Sequence, residues 1–199
     1  MKKIIVFLLV TGALVHWCTF SAEADMGKLT GKRAVMIIAQ EGFRDEELSE
    51  PKAVLQKAGV RVDVASTTTK QAKGKLGAIV IPDKLVSDIN TADYDAIVFI
   101  GGPGCRQYWY DKTAHKIAKE AVASGKITAA ICSAGVTLAN AGVLMGKKAT
   151  VFPGDRQALI DMGADYTGKA VEVDGNIVTA DGPESATAFG EKIVEKLSE

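Results

Sequence analysis

Short, continuously apolar segments alternate with amphipathic segments along this chain, and this alternation limits the possible folds more than any other feature. Residues 32–39 (KRAVMIIA) and 94–102 (YDAIVFIGG) are rich in β-branched and apolar residues, which is typical of strands buried on both faces of a sheet. Residues 111–125 have the pattern of an amphipathic helix, with Asp111 at the start and Gly125 at the end. Strands that alternate with helices predict an α/β fold with a mainly parallel central sheet.

The other segments extend this pattern. Further strands are predicted at residues 60–66, 76–82, 126–131 and 147–152, and further helices at residues 44–59, 155–163 and 183–197. Residues 170–180 predict a hairpin that turns on Asp174-Gly175. Pro51 lies within the first helical segment, where it predicts a kink or a place in the first turn.

The N-terminal residues have the pattern of an export signal. A basic MKK is followed by the apolar run IIVFLLVTGALVHW, and Ala22-Glu23-Ala24 offers a small-x-small cleavage site. The apolar run is short for a membrane-spanning helix, and an uncleaved anchor is the alternative interpretation. We therefore expect a signal peptide over residues 1–24, one α/β domain over residues 25–199, and a periplasmic or secreted location.

Charge and composition narrow the classes of partner. The 199 residues include 24 basic and 24 acidic side chains with no long run of either sign, which disfavours nucleic acid or an anionic membrane surface as the main partner. After residue 24 the chain has two cysteines, Cys105 and Cys132, and one histidine, His115. A zinc site built from these residue types is not expected. We predict neither a metal nor a cofactor.

Polar and reactive residues follow three of the predicted strands. The loops are residues 39–47 (AQEGFRDEE), 101–109 (GGPGCRQYW) and 132–135 (CSAG). In parallel α/β sheets, functional groups collect at the carboxyl ends of the strands. We therefore expect these loops to meet in one crevice.

Cys132 lies at a predicted strand-to-helix turn. The small residues Ser133, Ala134 and Gly135 allow a tight turn that directs the thiol into the crevice, as in a nucleophile elbow. The positive end of the following helix predicts a pKa for this thiol below its ordinary value. The alternative is a structural cysteine that packs as a small apolar side chain.

Five segments resemble, in this order and spacing, the ThiJ/PfpI family of the class I glutamine amidotransferase-like superfamily. They are residues 42–66, 94–104, 129–135, 141–154 and 173–183. The resemblance extends over residues 33–197. It implies a flavodoxin-like three-layer sandwich with a nucleophile elbow, and commonly a homodimer. The family includes redox-protective proteins, glyoxalase- or deglycase-type enzymes, chaperones and proteins named as proteases.

The resemblance also implies roles for particular residues. The family pairs its elbow cysteine with a glutamate that follows the first strand, and Glu47 is at the matching position. A protonated carboxyl there can donate a hydrogen bond to a thiolate. Gly101, Gly102 and Ser133 match the backbone that faces the nucleophile, where an oxyanion would be bound. Asp45 and Glu46 are assigned to the solvated start of the helix.

The sequence departs from the family where a histidine is common. Many members have one directly after the elbow cysteine or after the next strand, and these positions hold Ser133 and Phe152. His115 is assigned to a helix surface, and Asp155 is a candidate for orienting a group in the pocket. Because a hydrolytic Cys-His mechanism needs that histidine as its base, peptidase activity is not expected.

Cys105 follows GGPG in the loop predicted to face the elbow, so Cys105 and Cys132 are a candidate redox pair. A disulfide would require their Cα atoms to lie within about 7 Å. The sequence thus predicts an exported stress-response protein whose Cys132 reacts with small electrophiles or oxidants, by glyoxalase- or deglycase-like turnover or by reversible oxidation. The alternatives are a non-enzymatic dimeric binding or chaperone module and a weak cysteine hydrolase.

Overall fold

The structure of the protein is a computed structural model, and it describes residues 27–199. The predicted signal peptide over residues 1–24 lies outside the described residues. Within the described part of the chain, no helix combines the length and apolar character that crossing a membrane requires.

A seven-stranded sheet forms the centre of the domain. Its strands, in spatial order, are β11 (Val171–Asp174), β12 (Ile177–Ala180), β8 (Ile127–Ile131), β7 (Ala96–Phe99), β1 (Arg33–Ile37), β3 (Arg61–Ser66) and β6 (Lys84–Leu85). All neighbouring strands are parallel except β11, which runs antiparallel to β12 at one edge. The predicted α/β fold with a mainly parallel sheet is confirmed.

Five shorter strands lie outside the central sheet. A three-stranded sheet consists of β2 (Glu41–Phe43), β4 (Ala72–Gly74) and β5 (Ile79–Val80), and a two-stranded sheet consists of β9 (Lys148–Ala149) and β10 (Asp165–Tyr166). The strands predicted at residues 76–82 and 147–152 are therefore shorter than expected and belong to these small sheets. Strands of two or three residues are too short for an alternating pattern to define their ends.

Five helices cover the two faces of the central sheet. They are α1 (Asp45–Lys57), α2 (Lys112–Ala123), α3 (Gly135–Asn140), α4 (Arg156–Asp161) and α5 (Ala186–Leu197). One apolar core contains Met36 of β1 with side chains of α1 and α5, and the other contains Ile37 of β1 with side chains of α2, α3 and α4. Because alternate residues of a strand face opposite sides, β1 contributes to both cores of this three-layer sandwich.

Two local details differ from the prediction. Helix α1 continues through Pro51, which lies in its second turn and not its first. Gly190 of α5 packs there, since a Cβ at this position would lie 2.8 Å from the Pro51 Cα. In the hairpin, Asp174 pairs with Ile177, so Gly175 and Asn176 occupy the turn that was predicted one residue earlier.

The strand order reverses direction between β1 and β7. After β1 the chain adds β3 and β6 on one side, and then places β7, β8 and β12 on the other. In open α/β sheets, ligands bind beside such a reversal at the carboxyl ends of the strands. The loops after β1, β7 and β8 meet at this point.

Candidate active site

Cys132 directly follows β8 and begins a short 3-10 turn that leads into α3. Its φ is 58°, and within residues 27–199 it is the one non-glycine residue with a positive φ. This left-handed conformation costs an L-residue about 1–2 kcal/mol. Backbone strain of this kind is concentrated at functional sites, and here it places a thiol on a sharp strand-to-helix turn.

Glu47, in the first turn of α1, is completely buried. Neither of its carboxyl oxygens has a hydrogen-bond partner in normal geometry among the described residues. The groups that face the carboxyl are the Cys132 thiol and the Gly101 amide, and both lower its pKa. A Cβ on Gly101 would lie 2.4 Å from Glu47 Oε2 and 2.7 Å from the Cys132 Cβ, so only glycine fits between the two side chains.

The backbone amides of Gly102 and Ser133 face the Cys132 sulfur and lower the pKa of the thiol. Gly102 has a φ of 93°, and a Cβ there would lie 2.4 Å from the backbone nitrogen of Arg44. Glycine is therefore required by both conformation and space. The two amides can stabilise a negative charge on the sulfur, or on an oxygen attached to the atom that the sulfur attacks.

Burial dominates the titration of the Cys132–Glu47 pair. It raises the pKa of Glu47 to about 7. Burial first, and then the charge of the Glu47 carboxylate, raise the pKa of Cys132 to about 11. The helix end predicted a lowered pKa for the Cys132 thiol. This prediction is wrong when Glu47 is ionised, because desolvation and the Glu47 carboxylate raise the pKa more than the Gly102 and Ser133 amides lower it. Groups this close titrate as a unit, with the first proton leaving near pH 7.

A second carboxyl approaches the elbow from the other side. Ser133 Oγ donates a hydrogen bond to Asp155 Oδ2 at 2.6 Å, and the Cys132 sulfur lies 3.9 Å from Ser133 Oγ. Arg106 Nη2 lies 3.9 Å from the other oxygen of Asp155. Asp155 was predicted to orient a group in the pocket, and the group it contacts is Ser133. Phe152, at the second position where the family often has histidine, is exposed.

The loop after β7 is tied to the elbow through Trp109. Its Nε1 donates to the Ser133 carbonyl oxygen at 2.9 Å. Its own carbonyl oxygen accepts a hydrogen bond from Asn140 Nδ2 at 2.8 Å and lies 2.8 Å from His115 Nε2. His115 lies on α2 as predicted, and its half-buried ring also contacts this loop. No sequence pattern links these four positions, so the cluster was missed.

Asp45 is the first residue of α1 and partly exposed, as predicted, but it also has a structural role. Its two carboxylate oxygens accept hydrogen bonds from the amides of Leu76 and Ala78, at 2.8 and 2.7 Å. Asp45 thus anchors the turn between β4 and β5 to the start of α1. Glu46 forms a partly exposed ion pair with Arg44 at 2.8 Å, which agrees with a surface role.

Cys105 is almost completely buried, and both cysteines are free thiols. Burial raises the pKa of Cys105, and the charges of Cys132 and Glu47 raise it further, which places this thiol beside the same site. The proposed redox pair stays a prediction. Among residues 27–199 there is no group of three or more His, Cys, Asp or Glu side chains arranged to hold a metal ion.

The redox pair makes a measurable prediction. In the folded, reduced protein, we expect Cys105 to alkylate at least about tenfold more slowly than Cys132, because thiolate is the reactive form. After treatment with diamide, a disulfide would protect both thiols, and Cys105→Ala would restore access to Cys132. Mass spectrometry of iodoacetamide-treated protein distinguishes the two thiols. Free alkylation of both cysteines after oxidant would show that the pair does not form.

A flavodoxin-like sandwich with a cysteine on a strand-to-helix elbow is the architecture of a class I glutamine amidotransferase-like protein. Within this class, the chain belongs to the DJ-1/PfpI family, which matches residues 32–196. The family resemblance inferred from the sequence motifs is confirmed. The match includes Glu47, Gly101, Gly102 and Cys132.

Curated relatives extend over most of the chain. A protein of Methanocaldococcus jannaschii described as uncharacterised is 38% identical over 99% of this chain and 98% of its own length. A Pyrococcus abyssi protein named as a deglycase is 34% identical over 82% of this chain and 98% of its own. A Caenorhabditis elegans protein named as a glutathione-independent glyoxalase is 29% identical over 83% of this chain and 89% of its own.

Solved structures agree with the fold. The crystal structure of a ThiJ/PfpI domain protein from Brachyspira murdochii has a TM-score of 0.82 and 36% sequence identity to this chain. The similarity covers 84% of this chain and 98% of the Brachyspira chain. The flavodoxin-like architecture implied by the family resemblance is thus confirmed.

Proposed function

We propose that this protein uses Cys132 to convert small reactive carbonyl compounds, as a glyoxalase or deglycase does. The observation that carries the proposal is the strained Cys132 facing Glu47, a fully buried carboxyl without a hydrogen-bond partner in normal geometry among the described residues. Burying such a group is unfavourable, and groups of this kind are concentrated in active sites. The relatives named as a deglycase and a glyoxalase support this class of chemistry.

The geometry suits addition of a thiolate to an aldehyde. The Cys132 sulfur forms a bond to the carbonyl carbon while the C=O electron pair moves onto oxygen. The amides of Gly102 and Ser133 lie beside the sulfur, where they can stabilise this alkoxide. Protonated Glu47 can give its proton to the alkoxide to form a hemithioacetal, and the resulting carboxylate can then take the proton from the carbon bonded to sulfur, which gives an enediol. Return of that proton to the neighbouring carbon, while the hydroxyl proton moves to the neighbouring oxygen, gives a thioester of the hydroxy acid. Water then cleaves the thioester, which releases the hydroxy acid and restores the thiol.

A second proposal is that Cys132 is oxidised reversibly and protects or signals without turnover. Protonated Glu47 would then donate a hydrogen bond to an oxygen carried by the oxidised sulfur. The support for this alternative is the same pair of side chains, so the two proposals differ in outcome and not in site. A non-enzymatic dimeric module would use neither side chain.

Incubation with three reagents separates these proposals. The protein is mixed in turn with methylglyoxal, hydrogen peroxide and a fluorogenic peptide, while free thiol and product are followed together. We expect many turnovers of methylglyoxal to lactate and no cleavage of the peptide, because Ser133, and not a histidine, directly follows Cys132. One equivalent of thiol lost to peroxide, with no product from methylglyoxal, would favour the sensor. No reaction with any reagent would favour a binding or chaperone role.

A further inference from the structure

Two carboxyls approach Cys132, and they differ in their access to solvent. Glu47 is completely buried. The Asp155 side chain is 12% exposed, and it reaches the sulfur through a single hydroxyl group. The Cys132 thiol donates to Ser133 Oγ at 3.9 Å, and Ser133 Oγ donates to Asp155 Oδ2 at 2.6 Å. This is a continuous path from sulfur to carboxylate.

We propose that Ser133 and Asp155 form a relay that carries protons between the Cys132 thiol and solvent. The inference rests on the proposed function and assigns it two further residues. Ser133 contacts the reacting sulfur, whereas Asp155 acts through Ser133 and is a positioning and proton-accepting residue. The hydroxyl and carboxylate thereby take the place of a histidine directly after the cysteine.

Neighbouring side chains fix the position of the relay groups. Arg106 Nη2 lies 3.9 Å from Asp155 Oδ1, and its guanidinium lies 4.9 Å from the centre of the Trp109 ring. Trp109 Nε1 donates to the Ser133 carbonyl oxygen, which fixes the backbone that carries the relay hydroxyl. The other titratable or charged groups whose charges act on Cys132 or Cys105 are Arg44, Glu47 and Cys105 itself.

The relay step is a proton transfer coupled to addition. The thiol proton passes to Ser133 Oγ as the Ser133 hydroxyl proton passes to Asp155, so Asp155 becomes neutral and Cys132 becomes a thiolate. The sulfur then bonds to the carbonyl carbon, and the negative charge moves to the carbonyl oxygen. When the thiol is released at the end of the reaction, the same proton returns. Charge and protons balance in both directions.

The relay predicts an effect that depends on pH. Below about pH 7, where Glu47 and Cys132 are both protonated, the thiol must lose a proton during each encounter. Above that range, the pair has lost one proton, which we expect to come from sulfur, so that the thiolate no longer needs the relay. Asp155→Asn and Ser133→Ala should therefore slow the reaction about tenfold to a hundredfold near pH 6 and about twofold or less near pH 9. A merely structural role would slow the reaction at every pH.

The experiment measures loss of the Cys132 thiol when full-length protein is mixed with excess methylglyoxal. All variants carry Cys18→Ala and Cys105→Ala, so that the signal comes from Cys132 alone. Ser133→Thr, which keeps the hydroxyl, should retain at least about a third of the parent rate. Imidazole should accelerate Asp155→Ala in proportion to its basic form, because it can accept the proton directly. The matched control is Asp181→Asn, since Ser185 Oγ donates to Asp181 Oδ1 at the same 2.6 Å after β12.

Each outcome decides for or against the relay. Equal rates of thiol loss in the parent and Asp155→Asn near pH 6 would overturn it, even if the parent turns over methylglyoxal. Slowing that is the same at all pH values, or Asp155→Ala without imidazole rescue, would also overturn it. Thiol loss that is slowed near pH 6 and rescued by imidazole, in a parent that makes no lactate, would support the relay and overturn the proposed turnover instead.

Discussion

Replacement of Cys132 by alanine is expected to lower kcat/KM for methylglyoxal by about 10³-fold or more, because the substitution removes the atom that attacks the carbonyl carbon. Cys132→Ser should be almost as inactive, since a serine hydroxyl without a strong base is a weak nucleophile. Steady-state production of lactate is the measurement. The substitution leaves Glu47, the Gly102 amide and the rest of the pocket in place, so the loss reports the sulfur itself.

Cys105→Ala is the matched control for this prediction. Cys105 is also buried and close to the same site, but it has no strained backbone and lies outside the elbow. Its replacement should change kcat/KM less than about threefold. Retention of activity in Cys132→Ala would contradict the proposed function. Equal losses in both variants would indicate disruption of the fold, and thermal unfolding of the two proteins would reveal it.

The pH dependence of alkylation at Cys132 is the second large expected effect. The first proton leaves the Cys132–Glu47 pair near pH 7. We expect the resulting charge to lie mainly on sulfur, because the Gly102 and Ser133 amides stabilise the sulfur while Glu47 has no hydrogen bond in normal geometry among the described residues. Alkylation of the parent should therefore rise with a midpoint near pH 7, with Glu47 remaining protonated as a donor to the thiolate.

Substitutions of Glu47 test where this charge lies. Glu47→Leu removes the donor and leaves the sulfur buried, so the midpoint should rise by about 2 pH units and the rate at neutral pH should fall about 10²-fold. Glu47→Gln keeps a donor and should stay within about tenfold of the parent. Iodoacetamide labelling from pH 5 to 11 provides the measurement. A parent midpoint near 11, unchanged or lowered in Glu47→Leu, would place the charge on Glu47 and describe Cys132 as an ordinary buried thiol.

The same pKa shift makes stability depend on pH. Since the first proton leaves the folded Cys132–Glu47 pair near pH 7, whereas the Glu47 carboxyl of the unfolded chain has its ordinary pKa of 4.5, the folded protein binds protons more tightly than the unfolded chain between these values. The stability that the fully protonated pair provides is complete below about pH 4.5 and is lost as the pH rises through 7. The loss is on the order of 3 kcal/mol. In Glu47→Gln, thermal unfolding should lose this part of the pH dependence, whereas Glu46→Gln should retain it.

Much of the fold could be predicted because its central strands are long and buried on both faces. The apolar runs around β1, β7 and β8 indicated a parallel sheet, and the Asp111 cap marked the start of α2. The sheet of β2, β4 and β5 could not be predicted, because these strands are short and are held by distant contacts. Asp45 illustrates this, since its bonds to Leu76 and Ala78 join residues about thirty positions apart.

The candidate site, too, could be predicted from the sequence only in part. The positions of Cys132 and Glu47 could be predicted, because small residues after a strand indicate a tight turn and the family motif assigns the carboxyl. The bond between Ser133 and Asp155 could not, since it spans 22 positions and depends on how the loop after β9 folds over the elbow. The raised pKa of the Cys132 thiol was also missed. It follows from burial, which a helix-end argument from sequence does not include.

Trp109 couples the loop after β7 to the elbow segment that runs from Ser133 to Asn140. Its ring nitrogen holds the Ser133 carbonyl, and its own carbonyl is held by Asn140 from the helix behind. We expect the loop after β7 and the elbow segment to open together in local fluctuations. Separating them would break two hydrogen bonds of Trp109, one made by its ring nitrogen and one by its carbonyl oxygen. We therefore expect the spacing between the Gly102 amide and the Cys132 sulfur to be preserved while the pocket fluctuates. Changes at Asn140 can reach the reactive thiol without touching it.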